Sequence, residues 1–192
     1  MKRTYELRTA ALAALFLAVL CVSGYSAPTP EQRAERTNLL IQAIDNGNVE
    51  QAKACIKLGA DVNGTVKKYG HTLPILIHAI NNKNKEIAEL LILAGANVNA
   101  KDDNGYTALT VTIEWGNIEI VELLIKAGAD VNVRLYDGKT LLMCMPEALE
   151  KGLKDAELFA ELLIKARADV NAKDDNGFTE LMYAAAGGNI KI

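Results

Sequence analysis

The sequence predicts an all-α fold, a solenoid of stacked helix-turn-helix units joined by β-hairpin-like fingers. Three observations carry that expectation. A nine-residue phrase recurs in register: CIKLGADVN at residues 55–63, LILAGANVN at 91–99, LIKAGADVN at 124–132 and LIKARADVN at 163–171. The string NAKDDNG occurs twice, at 99–105 and 171–177, each time leading into an aromatic, a Thr and a Leu. The spacing from Gly95 to Gly128 is 33 residues, against 36 from Gly59 to Gly95 and 39 from Gly128 to Arg167. Units of that length cannot bury an apolar face alone, so neighbours must stack to make a continuous core.

Composition agrees. Half of the 192 residues are apolar, aromatics make up only 5% and Pro only 4 positions, which argues against a β-sandwich and against a disordered chain. Net charge is −3, and the surface left after the basic first 27 residues is mildly acidic. That gives no electrostatic footprint for nucleic acid and no basic amphipathic stretch for anionic lipid.

The elements follow in order. Lys2, Arg3 and Arg8 precede 13 uncharged residues from Ala10 to Val22, which end near small residues at Ser23, Gly24, Ser26 and Ala27. This three-part layout is that of a secretory signal peptide, too short for the roughly 20 residues of a spanning helix. Residues 1–27 are therefore expected to be removed after Gly24 or Ser26. The mature chain is then exported, periplasmic or secreted, with no membrane attachment; the layout looks bacterial. Cys21 follows Leu20, not the small residue a lipid-attachment site requires. Residues 28–36 read as an N-terminal cap: Thr29 caps, Pro30 suits the first helical position, Glu31 favours the positive end of the helix dipole, and the polar run covers an outer face without a neighbour.

From residue 37 each unit repeats one plan. The first helix starts near Thr37, Pro74, Thr107, Thr140 and Thr179, with Leu39, Leu76, Leu109, Leu142 and Leu181 two positions on. A polar break follows at Asn46-Gly47-Asn48, Asn82-Lys83-Asn84, Trp115-Gly116-Asn117 and Gly187-Gly188-Asn189, where Gly permits φ > 0 and Asn can cap the next helix. Ile118, Val121, Leu124 and Ile125 form an apolar face at helical spacing. The Asp-Val-Asn that closes each phrase leads to a finger whose tip, such as Asp103-Asn104-Gly105, carries strong turn residues.

These motifs resemble the ankyrin repeat, in four units at about 37–69, 70–102, 103–135 and 136–174 with a truncated fifth at 175–192. The departures are as informative. The family's Thr-Pro-Leu-His signature stands here as Thr107-Ala108-Leu109-Thr110, Thr140-Leu141-Leu142-Met143 and Thr179-Glu180-Leu181-Met182, so the His that ties helix to finger is replaced and the units are expected to be less rigid. The first finger, 64–71, is enlarged. Six extra residues fall around 146–154, where Pro146 is expected to stop or kink the first helix and leave 147–151 as a turn or loop. The fifth unit stops one turn into its second helix, which suggests a fragment of a longer array with an uncovered apolar flank.

The resemblance implies a non-enzymatic protein-binding scaffold, monomeric and without cofactors. It places the contact residues on the finger tips and adjacent first helices. These are Lys67, Lys68 and Tyr69 in the first finger; Lys101, Asp103, Asn104 and Tyr106 in the second, with Glu114 and Trp115 at the end of the following helix on the same side. The third finger offers Arg134, Leu135 and Tyr136, the fourth Lys173, Asp175, Asn176 and Phe178. Aromatics and Arg are common interface anchors, although finger aromatics can equally stiffen the array by packing on the next finger. Two alternatives stand beside this reading: a secreted effector engaging host proteins, and an accessory domain of a longer protein.

Catalytic or metal chemistry finds little purchase. His71 and His78 would lie roughly 10 Å apart on a helix, too far to share a metal. His71 belongs to the enlarged finger and His78 to a semi-buried helix position. The acidic 102–105 turn lacks the spacing and closing Glu of a calcium loop. No phosphate loop and no nucleophile beside a His is present. Cys55 and Cys144 fall three units apart, about 25–30 Å at helix-packing distances, whereas a disulfide needs Cα atoms within about 7 Å; both read as small buried hydrophobes.

Overall fold

The computed structural model describes residues 28–68, 70–135, 137–150, 152 and 155–186. The expected signal segment, Tyr69, Tyr136 and the break at Gly187-Gly188-Asn189 lie outside the described residues. Within them run nine helices and one two-stranded sheet in the order α1 (Pro30–Asp45), α2 (Val49–Lys57), β1 (Thr65–Lys68), β2 (His71–Pro74), α3 (Ile75–Asn81), α4 (Lys85–Leu93), α5 (Ala108–Trp115), α6 (Ile118–Lys126), α7 (Leu141–Glu150), α8 (Ala156–Lys165) and α9 (Glu180–Ala186). Each odd-numbered helix up to α7 pairs with the next one to make a helix-turn-helix unit. The second helices α2, α4, α6 and α8 stack on one another, α1, α3 and α5 stack beside them, and α9 packs on α7.

Local chemistry sets the boundaries. At α1 the Gln32 N–H donates to Thr29 Oγ1 at 3.3 Å while the Thr29 N–H donates to Gln32 Oε1 at 3.1 Å, a capping box, with Pro30 in the first turn. Asn48 and Asn117 cap α2 and α6 by accepting from the N–H groups of Gln51 and Ile120. Asn84 departs from that pattern: its side-chain amide donates instead to the Ile44 carbonyl of the preceding unit at 2.6 Å. Leu76, Leu109 and Leu142 share one register position and are all essentially buried. They belong to a single apolar cluster running from Leu40 to Leu163. Arg36, inside the cap helix, is buried against this start and donates to the Leu58 carbonyl.

The closing Asp-Val-Asn phrase does more than lead into the finger. Its first residue accepts the N–H two positions on, as Asp61 does from Asn63 and Asp130 from Asn132. Its last residue reaches the next unit. The N–H of Asn97 donates to Asn63 Oδ1 at 2.7 Å, that of Asp130 to Asn99 Oδ1 at 2.8 Å, and that of Asp169 to Asn132 Oδ1 at 2.7 Å. One recurring side chain therefore clasps each of the first three units to its successor.

The structure shows what stands in place of the signature His, and it corrects the expectation at Pro146. Loss of the signature His leaves the third unit tied locally by threonines: Thr107 and Thr110 form a buried capping box, and the Thr110 hydroxyl also donates to the Thr107 carbonyl at 2.7 Å. The fourth unit is less well served, with the Thr140 N–H facing Met143 Sδ at 3.5 Å and the Thr140 hydroxyl buried without a partner. The correction concerns Pro146. It does not end its helix; α7 continues through it to Glu150, and no loop begins at residue 147. Pro146 is buried, as are Leu142 and Met145 beside it, and α7 packs against both α8 and α9. That packing outweighs the one helical hydrogen bond a proline removes.

A candidate protein-binding surface

The second and fourth fingers are each built by one carboxylate. In the second, Asp102 Oδ1 accepts from the N–H groups of Asn104 and Tyr106, both at 2.9 Å, and the backbone closes with Asp102 N–H to the Tyr106 carbonyl. Gly105, at φ 80, supplies the left-handed step this turn needs. The fourth finger repeats the construction with Asp174, Asn176 and Phe178. There the Tyr183 hydroxyl also donates to Asp174 Oδ2 at 2.6 Å, which holds the Asp174 carboxyl below its ordinary value. The first Asp of each NAKDDNG is thus consumed in shaping the turn. The third finger has Leu135 at that position, and closes instead through backbone bonds from the Leu135 N–H to the Lys139 carbonyl and from the Gly138 N–H to the Leu135 carbonyl.

Neighbouring fingers are joined by the residues left over. Asp103 Oδ2 accepts the Thr72 N–H of the first finger at 2.7 Å. Arg134 Nη1 donates to the carbonyls of Gly138 in its own finger, 2.8 Å, and Lys173 in the next, 2.7 Å. Lys139 and Asp137 form an ion pair at 2.9 Å that lowers the Asp137 carboxyl and raises the Lys139 ammonium. Between the second and third fingers remains a cleft of about 500 Å³, lined by Lys101, Asp103, Asn104, Gly105, Tyr106, Arg134, Leu135 and Asp137. It offers cations and carboxylates on facing walls and two apolar surfaces between them.

Six of the sequence-derived candidates, Lys101, Asp103, Asn104, Tyr106, Arg134 and Leu135, therefore meet in one place. The others do not join them. Lys67 is exposed on the hairpin β1–β2, whereas Lys68 is turned back to Asp45, 2.9 Å away. Asp45 also meets His78 Nε2 at 2.8 Å, so His78 is a buried, satisfied polar residue and His71 an exposed one. Lys173, Asp175, Asn176 and Phe178 are exposed on the fourth finger, Phe178 with its ring 6.0 Å from that of Tyr183. Glu114 and Trp115 require a correction: they do not lie on the finger side. Finger and first helix join at Thr107, so Trp115 sits at the opposite end of α5, about 12 Å along its axis. Trp115 is 48% exposed there, with the Lys83 ammonium 4.4 Å above its ring.

Asp137 and Lys83 were not singled out in the sequence. Asp137 was hidden because the third finger departs from the NAKDDNG spelling. Lys83 was legible: it occupies the break position that Gly47 and Gly116 hold in neighbouring units.

Among the described residues no group of His, Cys, Asp and Glu is placed to hold a metal ion, and no helix is long and apolar enough to cross a membrane. Cys55 is buried and Cys144 partly buried, both as free thiols; burial pushes the Cys144 thiol up to about 11. A family model of ankyrin repeats in three copies matches residues 10–102 and 40–135. No curated protein matches the chain.

Proposed function

The chain belongs to the ankyrin-repeat family, and from that premise we propose that it is an exported solenoid whose second and third fingers grip a protein partner. Ankyrin repeats are generally protein–protein interaction modules and are typically non-enzymatic. The observation that carries the finer reading is the cleft of about 500 Å³ where Lys101, Tyr106, Arg134 and Leu135 converge. Aromatic and Arg side chains beside a concave surface are the usual anchors of protein interfaces. Arg134 also braces two fingers, so Lys101 and Tyr106 are the better probes. Lys101→Ala with Tyr106→Ala should weaken partner capture by the mature chain at least about tenfold, as loss of one anchor does, with helicity by circular dichroism unchanged. Capture at wild-type strength would remove the cleft from the interface.

Export rests on the basic-then-apolar segment of residues 1–27. Retention of full-length, uncleaved protein in the cytoplasm would sink it, and recovery from the medium instead of the periplasm would favour an effector that meets host proteins.

A second reading is favoured by the last unit. Leu181 is 70% exposed where its register mates Leu109 and Leu142 are buried; Phe178 and Met182 near it in sequence, and Ile164 and Val170 of the preceding unit, are exposed too. Such a flank suits the docking of another repeat, as in an accessory block of a longer protein. Appending one helix pair patterned on α5–α6 should raise the melting temperature if so.

A further inference from the structure

On the edge opposite the fingers, the turn after α3 and the turn after α5 enclose a notch of about 170 Å³. Its floor is Ile80, Ala88, Thr112 and Ile120, all buried, and the Thr112 hydroxyl is spent on the Ala108 carbonyl, so the floor is effectively apolar. One wall is Trp115. The lip is Lys83, whose ammonium rests on the Trp115 ring and has no ion-pair partner among the described residues. Lys85, also at the notch, is held by Glu119 at 2.9 Å.

Lys83 is an unexpected residue to find there. It stands at φ 59, where the corresponding Gly47 and Gly116 stand at φ 64 and 72. A side chain in that left-handed region carries a steric cost that glycine avoids. Strain of this kind collects where a binding site needs a particular side chain. Here it delivers an unpaired cation to the rim of an apolar notch beside the molecule's only Trp.

We propose that this notch is a second docking site, separate from the finger cleft, for a partner segment carrying one apolar side chain next to a carboxylate. A cavity of about 150 Å³ lined by apolar groups accepts a benzene-sized group, so this one holds a single branched or aromatic side chain and not a larger ligand. The carboxylate would meet the Lys83 ammonium on the side away from the ring, completing a charge-assisted bond in a partly dry setting. Glu119 is committed to Lys85 at 2.9 Å and so does not neutralise Lys83.

Trp115 is the only Trp, so its emission reports the site directly. The probes are blocked pentapeptides, Gly-Asp-Leu-Glu-Gly and its counterparts with Asn and Gln, or with two Lys, in place of the acids. The acidic peptide should produce a saturable change in emission, and the neutral and basic ones should bind at least about tenfold more weakly, as loss of a charged hydrogen bond implies. Lys83→Gln should weaken the acidic peptide by a similar factor. Lys83→Gly should do the same while keeping or raising the melting temperature, because it relieves the strained backbone. Lys101→Ala with Tyr106→Ala should leave this titration unchanged, which separates failure here from failure at the fingers. No saturable response to the acidic peptide, equal responses to all three, or wild-type binding by Lys83→Gln would overturn the proposal. A clear fall in melting temperature for Lys83→Gly would do so as well, since the Lys–Trp contact would then be a structural brace.

Discussion

Asn99 joins two units with both ends of its side-chain amide. The carbonyl oxygen accepts the Asp130 N–H at 2.8 Å and the nitrogen donates to the Gly128 carbonyl at 3.0 Å. The residue is solvent-exposed, so burial contributes little to whatever it stabilises. Each such bond is worth about 0.5–1.5 kcal/mol net, and Asn99→Ala should therefore cost about 1–2 kcal/mol in urea unfolding. Lys101→Ala, two residues away and exposed with no ion-pair partner among the described residues, should change stability by less than about 0.5 kcal/mol. The contrast separates the roles within one NAKDDNG string: Asn99 binds the stack together, Asp102 shapes the turn, and Lys101, with Tyr106 just after the string, is left to face the cleft. Equal costs for the two substitutions would show that the clasp is incidental.

At the scale of elements, the enlarged first finger is a hairpin that leans back along its own helices. Gly64 packs beside Thr37 near the middle of α1, yet Lys68, four residues on, pairs with Asp45 at the end of the same helix. Burial works to raise the Asp45 carboxyl, but the hydrogen bonds from Lys68 and His78 outweigh it and leave it below its ordinary value. A depressed folded value means the contribution is fully present above the unfolded value and lost as pH falls through the folded one. The tie between β1, α1 and α3 should therefore weaken only below about pH 4, and Asp45→Asn should flatten that acid limb while leaving stability less pH-dependent there. Acid-unfolding midpoints for the two proteins check it; identical acid limbs would mean the pair contributes nothing. The helices, their caps at Thr29, Asn48 and Asn117 and the enlarged finger were legible in the sequence, because each depends on spacing and on residue types that act locally. What escaped depends on tertiary context. Pro146 was expected to break a helix on local grounds, and packing against α8 and α9 overrode it. Trp115 was assigned to the wrong edge because a repeat spelling gives position along a helix and says nothing of which end faces a partner. Within the site, Lys101, Asp103, Asn104 and Tyr106 were found as a run, whereas the bracing by Arg134 across to Lys173 joins residues 39 positions apart and leaves no local mark.

For the molecule as a whole, stability in a stack of units is a sum of local terms and nearest-neighbour interfaces, so it need not be uniform along the chain. Of the inner helices, α3, α4 and α6 pack on helices of both adjacent units, and Leu76, Leu91, Leu109 and Leu124 within α3 to α6 are essentially inaccessible. The last described helix, α9, is 7 residues long, exposes Leu181 and Met182, and buries only Ala184. A helix that short has no stability of its own in water and persists through packing alone. Among the described residues its packing is one-sided, onto α7, with Tyr183 bonded to Asp174 and its ring under the Lys139 ammonium at 5.0 Å. Opening α9 exposes little new apolar surface, so its amides should exchange through local fluctuations, with protection at least about 2 kcal/mol below that of α3 to α6, which should open only with the stack. Native-state hydrogen exchange resolves this helix by helix. A uniform protection pattern would mean that the chain unfolds as one cooperative block and that its last unit is as well anchored as its first.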